Sequence, residues 1–235
     1  MVSKLRRDAA GSRTRLRAAA AEEFAARGFA GATVDRIAAH ARVTKAMVYY
    51  HFASKAALYR EILHDFFAAA ASRVVDVRAA GGSAEAQLGA FIRAINETAL
   101  AEPRFPPMWL REIADGGRHL DVAIIRQMTR VLATLGDILA DGRSAGAFRD
   151  VPPLIVQFGI VGPLLLAAAT EPLRDRTAHE TSKPRHRRRV RGRRQDRRPL
   201  LPIPTITRDA VAEHVQRMTL TALQPVDAMT LRRPR

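Results

Sequence analysis

The sequence predicts an all-α protein, with a small helix-turn-helix domain ahead of a larger helical domain. Three observations point there. Apolar residues recur at three- and four-residue spacing along most of the chain. Thr33, Thr44 and Ser54 each stand just before a helix-compatible run, where a side-chain oxygen can cap the first turn. Two of those runs are about two turns long and are separated only by Arg42-Val43, the proportions of a helix-turn-helix.

The elements follow in order, about nine helices in all. Ser12 is placed to cap a first helix over Arg13–Arg27, with Leu16, Ala20 and Phe24 as its apolar stripe and Gly28 as its stop. Lys4–Arg7 reads as a solvated, disordered basic tail. A loop over Phe29–Ala32 leads to Thr33 and a helix over Val34–Ala41, with Asp35 in its first turn to suit the helix dipole. Thr44 caps Lys45–His51, Phe52-Ala53 breaks it, and Ser54 opens a long helix to about Arg78. Further helices are expected near 84–101, 107–114, 119–141, 153–169 and 208–223, parted by Gly and Pro signals. Residues 11–71 then form the first domain and 72–235 the second, with a disordered basic loop at 174–206.

Composition narrows the function. With 47% hydrophobic residues in 235, the chain can bury a substantial core. The absence of cysteine excludes disulfides, thiolate metal sites and a cysteine nucleophile, and suits a reducing compartment. Met1–Leu16 is charged and lacks the apolar segment of a signal peptide, so a cytoplasmic location is expected. The longest apolar run, Leu154–Thr170, holds Gln157 and Pro163 and falls short of a membrane span, so no membrane partner is expected. No P-loop, dinucleotide fingerprint or HExxH occurs, and Glu112, His119 and Asp121 lack tight ligand spacing. Neither catalysis nor a metal is therefore expected. The net charge of +16 points to a polyanionic partner. Most of it is concentrated, because Arg174–Arg198 holds 12 basic and 3 acidic residues.

The stretch TKAMVYYHFASKAALY, Thr44–Tyr59, carries the functional signal. Consecutive helical side chains point about 100° apart, so Tyr49, Tyr50 and His51 cannot all face one core. With Val48 and Phe52 facing inward, Lys45, Ala46, Tyr49, Tyr50 and His51 are left for an outer face. A short helix presenting lysine, tyrosine and histidine suits a DNA major groove and its flanking phosphates.

In detail, residues 13–67 resemble the DNA-binding domain of the TetR family of bacterial transcription regulators. The matching residues are Phe24 and Gly28 in A-x-x-x-F-x-x-x-G-F, and Thr33, Ile37 and Ala38 in T-V-x-x-I-A. They continue with Thr44, Lys45, Val48, Tyr49, His51 and Phe52 in T-K-x-x-V-Y-x-H-F, and Ser54, Lys55 and Leu58 in S-K-x-x-L. The resemblance implies a DNA-contacting set of Thr33, Arg36, Arg42, Thr44, Lys45, Ala46, Tyr49, Tyr50, His51 and Lys55. In it Lys45, Ala46 and Tyr49 would reach bases, and Tyr50, His51, Lys55 and Thr33 phosphates. Arg42 departs from the family pattern, which has glycine in this turn.

The resemblance also implies that the second domain holds an effector pocket and a dimer interface. Phe66, Phe91, Phe105, Met108, Trp109, Ile113, Met128 and Leu132 are the pocket candidates, with an ordinary core as the alternative reading. Their few charges favour an apolar effector, and no other cofactor is implied. Leu154–Leu166 is apolar on nearly all faces and so should be buried on both sides. Leu154, Phe158, Val161, Leu165, Val211, Val215 and Met218 are the interface candidates. The expected function is a homodimeric, effector-responsive repressor on a palindromic double-stranded operator. The alternative is a ligand-independent nucleic-acid-binding protein whose affinity comes from the arginine-rich segment.

Overall fold

The computed structural model of the chain describes residues 2–182 and 206–225. Among them are ten helices and no strand. α1 (Val2–Gly31) buries Leu16, Ala20 and Phe24. It begins well before Arg13, so the expected tail at Lys4–Arg7 is helical and Ser12 lies inside the helix instead of capping it. The first turns lack an apolar stripe, but their alanine, arginine, lysine and leucine are good helix formers. The expected stop at Gly28 is a local break with φ 69° and ψ 176°, after which helical structure resumes to Gly31. A Cβ at Gly28 would be strained by that φ and would meet Arg111 Cδ at 3.3 Å.

α2 (Val34–Ala41), α3 (Lys45–His51) and α4 (Lys55–Ala80) follow as the caps require. Thr33 Oγ1 accepts from Arg36 N at 3.3 Å, Thr44 Oγ1 from Met47 N at 3.3 Å and Ser54 Oγ from Ala57 N at 3.0 Å. Each cap satisfies an amide that the first turn cannot. α1–α3 close over a core of Leu16, Phe24, Ile37, Val48, Leu58 and Leu63.

α5 (Ala84–Ala101), α7 (Val122–Ser144), α8 (Pro153–Ala169) and α10 (Arg208–Leu223) surround a second core of Leu88, Phe91, Ile92, Leu135, Ile138 and Ile160, whereas α6 (Phe105–Ala114) turns Phe105 and Met108 into the first. α6 starts two residues earlier than expected because Pro106 and Pro107 fit a first turn, where no amide hydrogen is needed. α7 starts later than expected, at Val122, because Asp121 caps it by accepting from Ile124 N at 3.0 Å. α4 runs unbroken through the expected domain boundary at 71/72. Its Leu58, Tyr59 and Leu63 belong to the first core, and its Ala70, Ala71 and Val74 to the second.

α9 (Glu171–Ser182) corrects the sequence reading, which placed a disordered loop from Arg174. Pro172 sits in its first turn. Arg174 Nη1 donates to Ala167 O at 2.8 Å and Thr170 Oγ1 at 2.9 Å, and Arg208 is ion-paired with Glu171. These polar ties replace the apolar stripe whose absence concealed the helix. The rest of the expected loop, 183–205, lies outside the described residues.

Within one chain α8 is covered on one side, which leaves the other face open. Val156, Ile160, Leu164 and Ala168 face the core, whereas Leu154, Ile155, Phe158 and Leu166 are exposed.

One close contact carries a stability prediction. A Cβ on Gly142 of α7 would sit 2.0 Å from Cδ2 of the buried Phe148 ring. Gly142→Ala is expected to destabilise the fold by about 1–3 kcal/mol through overpacking. Thermal unfolding measures this, and an unchanged melting temperature would show that the ring moves aside freely.

Candidate nucleic-acid interface and effector cavity

The candidate DNA-facing surface is built on α2 and α3. Val48 and Phe52 hold α3 against the core, so the outward positions carry Lys45, Ala46, Tyr49 and Tyr50. Tyr49 is 51% exposed and Tyr50 74% exposed, so neither packs away against α1 or α4. Lys45 Nζ lies 3.0 Å from Asp35 Oδ1, which ties the start of α3 to α2 and raises the lysine pKa through that hydrogen bond and the Asp35 charge. Thr33, Arg36, Arg42 and Thr44 are exposed on the same two-helix unit.

His51 is less free than the sequence suggested. Its Nε2 is hydrogen-bonded to Ser12 Oγ at 2.8 Å, which fastens the end of α3 to α1. The Tyr50 ring meets the His51 ring edge-on at 5.0 Å.

Lys55 differs from the expected phosphate contact. Its Nζ donates to Phe29 O at 2.9 Å and Ala32 O at 3.0 Å, and lies 4.3 Å from the Phe29 ring centroid. The carbonyls left open after the Gly28 break use this ammonium, so Lys55 fastens the α1–α2 corner.

Arg42 is the only non-glycine residue with positive φ among the described residues, at φ 55° and ψ 47°. Its amide closes α2 onto Ala38 O and Ala39 O, and its side chain is exposed. Left-handed arginine costs about 1 kcal/mol relative to glycine. Arg42→Gly is therefore expected to stabilise the fold by about 1 kcal/mol while weakening operator binding and lowering its salt slope by about 1. An unchanged salt slope would remove Arg42 from the contact set.

A polar joint links this domain to α6 and was not legible as such. Arg111 donates to Ala25 O, at the end of α1, and packs over Gly28. Next to it Glu112 is only 1% exposed. Its Oε1 accepts from His119 N at 2.7 Å, and its Oε2 is paired with His119 Nδ1 at 2.9 Å. The His119 ring lies 4.0 Å from Phe29 of α1 and 5.0 Å from Tyr59 of α4. Burial, and then the charge and hydrogen bond of Glu112, raise the Tyr59 pKa well above the usual phenol range. The sequence marked Glu112, His119 and Asp121 only as a poor metal cluster. The fold shows why they sit close: two join domains, and the third caps α7.

Behind the joint lies an open cavity of about 530 Å³ lined by α4–α8. Phe66, Phe105, Trp109, Ile113, Met128 and Leu132 line it, six of the eight expected pocket residues. Phe91 does not, because it is fully buried in the second core. Met108 faces a separate cavity of about 410 Å³ between α1, α4 and α6. Leu154, Phe158, Val161 and Leu165, expected at a dimer interface, also wall the larger cavity. Val215 is a correction: it is buried within its own chain, with Val211 packed beside it, because α10 turns that face onto α5 and α8. Met218 is exposed.

Among the described residues no group of three His, Asp or Glu is arranged to hold a metal, and no single helix is long and apolar enough to cross a membrane.

Fold and surface together define a protein that is all-helical in its described residues, with an N-terminal helix-turn-helix domain. Residues 16–62 match the family model of bacterial regulatory proteins, tetR family. That match is confined to the N-terminal helix-turn-helix domain. Over 57 residues the chain is 42% identical to the HTH-type transcriptional repressor SCO4008 of Streptomyces coelicolor, covering 24% of this chain and 30% of that protein. The chain thus matches less than a third of that relative's length. The likeness to solved structures is longer. The ketosteroid transcriptional regulator KstR2 of Mycobacterium tuberculosis superposes with a TM-score of 0.67 at 19% identity, over 91% of this chain and 95% of that one. The TetR family regulator PfmR of Thermus thermophilus gives 0.64 at 19% identity, over 88% and 97%. The fatty acid degradation regulator FadR of Bacillus halodurans gives 0.60 at 16% identity, over 88% and 93%. At these identities the likeness establishes the fold along nearly the whole chain.

Proposed function

We propose that the protein is an effector-responsive transcriptional repressor that binds a palindromic operator as a homodimer. The observation that carries this reading is the outward face of α3, where Lys45, Ala46, Tyr49 and Tyr50 are exposed on a properly capped helix-turn-helix. The exposed apolar face of α8, with Leu154, Ile155, Phe158 and Leu166, supports pairing with a second copy. Gly159 and Gly162 on that helix have open space around them, so a partner helix can approach closely. Two-fold pairing sets two recognition helices about 34–36 Å apart, one turn of DNA. An apolar effector in the larger cavity would act by favouring one spacing over another, which requires unequal affinity for the two states.

Selection from random duplexes at near-physiological salt tests the reading, beside Tyr49→Ala and a deletion of residues 183–205. A palindrome enriched by the wild type, lost with Tyr49→Ala and kept by the deletion is the expected result. The second reading draws on segment 183–205, with ten Lys or Arg against one Asp. Enrichment of nothing, with binding that collapses only on the deletion, would favour it.

A further inference from the structure

We infer that the second copy of the chain roofs the mouth of the larger cavity, so that effector binding and dimerisation strengthen each other. This rests on the dimeric regulator reading above and goes beyond it, since pairing through α8 does not by itself require a shared ligand site. The mouth of the cavity can be located. Ile113 of α6, Ile125 of α7, and Leu154 and Phe158 of α8 all line it, yet they are 52%, 48%, 48% and 66% exposed. Large apolar side chains that line a cavity and still meet solvent mark its rim. The α8 side of that rim belongs to the open face of the helix. Leu154, Phe158 and Gly162 follow at four-residue spacing, in one row along α8, and each both lines the cavity and is exposed. Ile155, Gly159 and Leu166 continue the exposed face beyond the rim without lining the cavity. A partner seated on that face lies along the mouth.

Charge selects the occupant. The whole chain carries +16, so two copies repel each other unless they meet at a neutral surface. α8 supplies one, with no Asp, Glu, Lys or Arg from Pro153 to Ala169. A two-fold axis sets this face against itself, apolar against apolar. Nothing lies within 4 Å of a Cβ at Gly159 or Gly162, which leaves room for the partner's helix. The chain's own 183–205 segment is the wrong occupant. Its ten Lys or Arg against one Asp would bring charge to a helix face with no carboxylate to meet it. No ionisable side chain lines the cavity, and an apolar ligand held by one chain would leave part of its surface in water at the mouth. The partner removes that surface from water and adds affinity that one chain lacks. Linkage is reciprocal, so the factor by which pairing tightens the ligand is the factor by which ligand tightens the pair.

The probe is N-phenyl-1-naphthylamine, an uncharged apolar fluorophore, titrated into the full-length wild type and Leu166→Asp. Leu166 is 59% exposed and stands off the cavity, so the substitution opposes pairing without altering the ligand's wall. Trp109, the sole tryptophan, stands in the cavity wall, and its quenching shows that the probe enters this cavity. Sedimentation is expected to give a dimer for the wild type and a monomer for the variant. The monomer should bind the probe at least about fivefold more weakly, the lower end of coupling between linked sites. Saturating probe should lower the dimer Kd of the wild type by the same factor. Thermal unfolding checks that the variant is folded, and Ile155→Asp, also exposed and off the cavity, replaces it if it is not. Equal probe affinity in dimeric wild type and monomeric variant would overturn the inference and leave the dimer standing. So would a dimer Kd that probe leaves unchanged, a probe that never quenches Trp109, or variants that both stay dimeric. A wild type that is monomeric at every concentration, alone and on operator duplex, rejects the dimeric reading itself.

Discussion

Glu112→Ala is expected to lower the unfolding free energy by about 3–5 kcal/mol, because it breaks a buried pair and strands the groups around it. His119 would lose partners for both its backbone amide and Nδ1, and the buried Tyr59 would lose its hydrogen bond. Those groups join α6 to α1 and α4, so operator affinity is expected to fall together with stability. Urea denaturation measures the first effect, and duplex binding below the unfolding transition measures the second. Glu112→Gln keeps the shape and one acceptor oxygen, and should recover a large part of the stability. Loss of stability with operator affinity intact would make the joint a packing feature without influence on α3.

The same joint sets a pH dependence at the alkaline end. The folded-state pKa of Tyr59 is raised above its unfolded value of about 10. Its contribution to stability is complete below pH 10 and is lost as pH rises further, because only the unfolded chain then releases the proton. Tyr59→Phe should flatten the stability profile above pH 10. An unchanged slope there would mean that other groups govern alkaline unfolding.

Phe158→Asp is expected to weaken self-association by about 4 kcal/mol, on the scale of a central interface residue. Phe158 is 66% exposed, so the substitution should leave the monomer folded. It would place a charge amid Leu154, Ile155 and Leu166, where a second copy could not pair with it. Sedimentation at matched concentrations is expected to give a dimer for the wild type and a monomer for the variant. Operator binding should fall steeply, because each half-site would be bound alone. A variant that stays dimeric would move the interface off this face of α8.

The helix-turn-helix was almost fully legible because local chemistry writes it: Thr33, Thr44 and Ser54 are caps, and Gly28 takes a backbone angle that suits glycine. Six of the eight residues expected at a pocket share one cavity, since large apolar residues on adjacent helices converge on one space. What stayed hidden depends on contacts far apart in sequence. Lys55 reads like a phosphate ligand until the carbonyls of Phe29 and Ala32 are brought to it by the fold. Val215 reads like a free apolar position until α10 is seen to turn it inward. The start of α1 and the whole of α9 escaped because polar helices carry no stripe. Glu112 and His119 stand seven residues apart across a glycine pair, and only the turn at Gly116-Gly117 brings them together.

α4 belongs to both cores, and this has a mechanical consequence. At 1.5 Å per residue its 26 residues make a rod about 39 Å long. Phe66, Phe67 and Ala70 form part of the cavity wall near its middle, while Lys55 holds its first turn against the α1–α2 corner. A rod cannot bend to absorb a push at the cavity; it can only pivot. A pivot of about 5° near the far end would carry the first turn roughly 3 Å sideways, given that length. In a symmetric pair the two displacements would add, and a shift of about 2 Å at Phe66, roughly midway along the rod, would be nearly doubled at each first turn.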